Sequence, residues 1–111
     1  MISYRYTNLD GEFGCEFTFE HAGEYIPSHQ HQKWSTHATR CTTGRALLEV
    51  LDDPPRVISA GKEAADWDAT KPHTISAAED GTVIFNRLLV RPDVDMIADF
   101  LSDPGGIVEM K

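Results

Sequence analysis

From Glu12 to Glu20, apolar Phe13, Cys15, Phe17 and Phe19 alternate with Glu12, Glu16, Thr18 and Glu20. A period of two sends successive side chains to opposite faces, so this stretch predicts a strand with one face buried and one wet. The rhythm returns at Arg45 to Leu51, where Ala46, Leu48 and Val50 oppose Arg45, Leu47, Glu49 and Leu51. Between such runs stand turn-forming residues: Asn8 to Gly11, Ala22-Gly23, Gly44 and Asp52-Asp53-Pro54-Pro55. Ile2 to Thr7 reads as the first strand, and the segment after Gly23 as one that carries Tyr25, Pro27, His29 and His31 on one face. A return strand runs from His37 to about Thr43, and Arg56 to Ala60, Thr74 to Ala77 and Thr82 to Val90 supply the rest. Asp80-Gly81 has the composition of a hairpin turn and is expected to join the last two. Roughly eight short strands with turns at close intervals predict an all-β barrel or double sheet. Past Arg91-Pro92 the period changes: Val94, Ile97, Ala98 and Leu101 recur at helical spacing behind Asp93, a helix cap, until Asp103-Pro104-Gly105-Gly106 stops them. One short C-terminal helix is therefore expected, covering an open end or edge of a sheet.

Chemistry enters with the histidines. On an extended strand His29 and His31 project from one surface, close enough for their imidazoles to share an ion. His37 follows six positions later, room for a tight connection and a return strand beside the pair. Glycines frame the set: five residues separate Gly23 from His29, and six separate His37 from Gly44.

That frame resembles the first motif of the cupin family, a glycine, five residues, His-x-His, three or four residues, a glutamate, six residues and a glycine. Here His37 stands in the glutamate's place and slightly later. The second motif is matched more loosely by Lys71-Pro72-His73-Thr74-Ile75 leading into Glu79-Asp80-Gly81 and the strand from Thr82 to Phe85, with Gly61 twelve residues before His73. Trp67 and Ala69 stand near the positions of the family's Pro-x-Gly, and Ala77 replaces its asparagine. The resemblance covers about residues 12 to 90. It implies a cupin-type jelly-roll barrel as a single domain over 1–111, with the barrel at about 2–91 and the helix and tail at 92–111. It also implies one divalent metal ion held by His29, His31, His37 and His73, and a homodimer.

Four imidazoles bring no charge to the ion, which favours Fe, Mn, Ni, Cu or Zn over the oxygen-seeking Mg and Ca. An octahedral ion so held keeps two positions for a small bidentate molecule. Tyr25, on the ligand side of its strand, and Trp34, in the loop between ligand strands, are expected to shape a substrate pocket, although such aromatics more often serve packing. His21 falls outside the pattern. The leading expectation is a metal-dependent enzyme, an oxygenase first, on a small polar organic substrate. The alternative is a non-catalytic module that binds a sugar or sugar acid, and a third is a structural dimer without metal, because the fold class hosts many functions.

Charge and apolar content narrow the partners. Eighteen acidic against ten basic residues give a net charge of −8, which repels a phosphate backbone, so nucleic acid is not expected. The longest apolar runs are three or four residues, far short of a bilayer span, and the N-terminus lacks a leader's apolar core, so a cytoplasmic protein off the membrane is expected. Cys15 and Cys41 are too few for a disulfide framework and are expected as buried free thiols, with Cys41 the one that could line a pocket. No internal repeat or low-complexity segment interrupts the chain.

Overall fold

The period-two segments pair into two sheets in a computed structural model that describes residues 1–30, 38–68, 70–87 and 107–109. Its ten strands, among the described residues, are β1 (Ile2–Leu9), β2 (Glu12–Phe19), β3 (Tyr25–His29), β4 (Thr39–Thr43), β5 (Arg45–Val50), β6 (Arg56–Ser59), β7 (Glu63–Ala64), β8 (His73–Ala77), β9 (Val83–Arg87) and β10 (Ile107–Glu109). One sheet runs β10-β1-β2-β9-β4-β7 and the other β3-β8-β5-β6. No helix occurs among the described residues, and the helix expected over 93–101 lies outside them, as does the end of the barrel at 88–91.

β1 and β2 close through a two-residue loop, Asp10-Gly11, with Leu9 opposite Glu12 and φ of 52° and 82° at the two turn positions. Positive φ at both sites matches the right-handed twist of the flanking strands, which is why Asp-Gly serves there. Each strand then buries the face that its alternation marks. Across the six-stranded sheet Tyr4, Phe17, Ile84 and Cys41 form one buried row, and across the four-stranded sheet Ile26, Ile75 and Leu48 form another. These rows belong to one apolar core between the sheets. Removing each such aliphatic side chain from water contributes about 1.5–3 kcal/mol.

Two expected pairings are corrected. Asp80-Gly81 does not join a hairpin, because β8 lies in the four-stranded sheet and β9 in the six-stranded one. Gly81 supplies the turn (φ 73°), and the chain then changes sheets at buried Thr82, whose hydroxyl donates to the carbonyls of Glu79 (2.8 Å) and Arg45 (3.1 Å). Likewise β4 does not return beside β3. It pairs with β9 and β7, while β3 pairs with β8. β10, unforeseen in the sequence, adds in parallel to β1 with Ile2 opposite Ile107.

Candidate metal centre

β3 and β8 run antiparallel, with Tyr25 opposite Ser76 and Ile26 opposite Ile75, but then His29 stands opposite His73. Two residues, Pro27 and Ser28, thus face Thr74 alone, which is a β-bulge. The extra residue moves every later position of β3 to the other face. On β8, His73, Ile75 and Ala77 are buried and alternate with partly exposed Thr74 and Ser76. Register therefore puts position 29 on the inner face with His73, and position 25 on the outer face with Ser76.

Tyr25 accordingly does not share a face with His29, as strict alternation required, and it is 58% exposed on the outside of the sheet. The signal was in the sequence: a proline within a strand is confined to edges and bulges, and Pro27 marks both, β3 being an edge strand. His31, His37 and Trp34 lie outside the described residues. Among the described residues no group of three or more metal-ligating side chains converges, and the register sets His29 opposite His73.

His73 is 2% exposed, with Nδ1 2.8 Å from the carbonyl oxygen of Lys71. A carbonyl only accepts, so Nδ1 carries the proton, and in the neutral ring the lone pair lies on Nε2. Protein ligands to metals are commonly held this way, with the second ring nitrogen donating to a carbonyl that fixes tautomer and orientation. The backbone before His73 is itself secured. Asp68 Oδ1 accepts from the amide (2.9 Å) and hydroxyl (2.6 Å) of Thr70, and Lys71 N donates to the Asp68 carbonyl (3.1 Å). The hydroxyl and amide of Thr70 hold the Asp68 carboxyl below its usual range. Among the described residues the donor chemistry is thus that of one buried imidazole, His73, with its tautomer assigned and with position 29 opposite it in register, and a nitrogen donor of this kind suits a borderline transition ion.

Trp67 is the side chain that sequence reasoning passed over. Partly buried against the core, it meets the His73 imidazole edge to face, with ring centroids 4.7 Å apart at 73°. Its only sequence signal was its place near a motif position. Cys15 and Cys41 are buried free thiols as expected. Burial pushes the Cys41 thiol up, and its Sγ donates toward the carbonyls of Thr43 (3.3 Å) and Gly44 (3.5 Å), so it acts as a core residue and not as a pocket nucleophile. No helix among the described residues is long and apolar enough to cross a membrane.

No protein-family model matches the chain, and no curated protein matches it in sequence. Solved structures do. An RmlC-like cupin protein from Desulfovibrio desulfuricans is 18% identical, with 78% of this chain and 81% of that one covered at a TM-score of 0.62. KdgF from Halomonas sp. is 19% identical over 83% and 82%, at 0.64. The Cupin_2 domain of an XRE family transcriptional regulator from Enterobacter cloacae is 14% identical over 82% and 97%, at 0.62. Two facing sheets, antiparallel apart from the β10–β1 pair and superposable on these proteins over most of their length, give this chain the fold of a small cupin domain.

Proposed function

We propose that this cupin domain holds one divalent transition metal ion through His29, His31, His37 and His73, and that the domain is an enzyme on a small polar organic substrate, an oxygenase first. The observation that carries the proposal is the bulge-shifted register that sets His29 across from His73, whose Nδ1 is already committed to the Lys71 carbonyl. When bound, an Fe, Mn, Ni, Cu or Zn ion supplies Lewis acidity, and a redox-active one supplies electrons as well. The chain's own part is to hold the His73 imidazole in one tautomer and to exclude water with the buried apolar row of Ile26, Ile75 and Leu48 next along the sheet. Trp34 would shape the pocket. Elemental analysis of protein purified without added metal tests this, with a His29→Ala/His31→Ala variant beside it. Near-stoichiometric transition metal, lost in the variant, is expected. No metal in either, even after reconstitution, overturns it.

A second function is a non-catalytic module for a sugar or sugar acid, a reading open to this fold because a transcriptional regulator also carries a domain of it. Retention of such a ligand without turnover would select it. A homodimer is supported by an apolar row on the outer face of the four-stranded sheet, where Tyr25, Ser76, Leu47 and Val57 lie in one register line and Val57 is 60% exposed. Buried free thiols fit a reducing, cytoplasmic setting.

A further inference from the structure

Two contacts among the described residues restrain the ring of His73. Its Nδ1–H bonds the Lys71 carbonyl at 2.8 Å, and it stands edge to face with the Trp67 indole, the ring centroids 4.7 Å apart. The hydrogen bond fixes the tautomer and, with Cβ held in β8, leaves the imidazole only a narrow pivot about its Cβ–Cγ bond within the angular tolerance of the N–H···O contact. That pivot would carry the Nε2 lone pair, which lies in the ring plane, off any fixed direction. A perpendicular indole against the ring blocks the pivot. Trp67 can serve as such a stop because it is itself anchored: its Nε1–H donates to the Ala64 carbonyl at 3.1 Å. Ala64 belongs to β7 in the six-stranded sheet, whereas His73 begins β8 in the four-stranded sheet, so the indole braces the histidine against the opposite layer.

We propose that Trp67 is a positioning residue that aims His73 Nε2 at the metal. The inference rests on the metal-binding function proposed above. Titration of the full-length chain with Co(II) alone, followed by visible absorption, tests both. Wild type is expected to bind one Co(II), Trp67→Ala to bind it about 10–100-fold more weakly, the usual loss when a supporting contact of a ligand is removed. Trp67→Phe is expected to recover most of the affinity, since an aromatic edge suffices as a stop. Co(II) is also expected to quench a component of the tryptophan emission that is missing from Trp67→Phe, a readout independent of whether Trp67→Ala folds. Equal affinities in wild type and a folded Trp67→Ala, or bound Co(II) that leaves the Trp67 emission unchanged, overturns the positioning role and spares the metal site. Failure of wild type to bind Co(II) overturns the metal site and the inference with it.

Discussion

The inner and outer faces of the four-stranded sheet are built from the same strands, yet they differ in kind. Inside lie Ile26, Ile75, Leu48 and buried His73, and outside lie exposed Tyr25 and Val57 with Leu47 and Ser76 between them. One residue decides membership. Without the bulge at Pro27-Ser28, position 29 would fall on Tyr25's face, because alternation has no other way to change sides. The lesson is that a site's composition can depend on an insertion that carries no chemistry of its own.

Deleting Ser28 should break the distinction most severely. The residue at 29 would move to the outer face, and metal retention should fall to background by elemental analysis while circular dichroism still reports β structure. Next in size, Ile75→Ala should cost about 2–5 kcal/mol in urea unfolding, the range for truncating a fully buried aliphatic residue. The corner between the sheets is smaller in effect. Thr82→Val removes the hydroxyl that two carbonyls share and should cost about 1–3 kcal/mol in the same assay. Val57→Lys, on the outer face, should change monomer stability by less than about 0.5 kcal/mol. It should shift the sedimentation of the chain toward monomer, and an unchanged dimer would remove the apolar row from that role.

The smallest effect is in acid. The folded state holds Asp68 below its ordinary range, so its contribution is present above about pH 4 and is lost as pH falls through the folded value. Thr70→Ala, which deletes the hydroxyl partner, should flatten the acid limb of a stability profile by slightly lowering stability at neutral pH, with variant and wild type converging in acid. A steeper limb in the variant would show that another group governs it.

What the sequence disclosed follows from what is local. β2 and β5 could be read because alternation is recorded in neighbouring residues, and Ala46, Leu48 and Val50 are buried as that pattern required. His29 and His73 were singled out by the family resemblance, and the register sets them opposite one another. Pairing was not, because nothing near Asp80-Gly81 says that β9 belongs beside β2 and β4 rather than β8. Tyr25 was assigned to the wrong face for the same reason, since the bulge becomes visible only against the partner strand. Phe85 shows the converse. It is 3% exposed, yet its neighbours in register are Glu16 and Arg40, and its ring lies where a side chain on Gly14 would have to be, 2.5 Å from a Cβ built there. It is buried on the face turned away from the core, over a glycine that alternation treats as a gap. The ion pairs Arg5–Glu16, Arg40–Asp10 and Arg87–Glu12 belong to that same side.

The pairing of β3 with β8 also sets an order of events. The β1–β2 hairpin closes over a two-residue loop, whereas His29 and His73 stand 44 positions apart in the chain. Closing so long a loop costs entropy before any contact returns it, and folds rich in such pairings assemble on the scale of milliseconds to seconds. The two histidines meet only when that loop has closed. During refolding from denaturant, therefore, the clock for metal uptake should be the joining of β3 to β8, and raising the concentration of the ion should leave that clock unchanged.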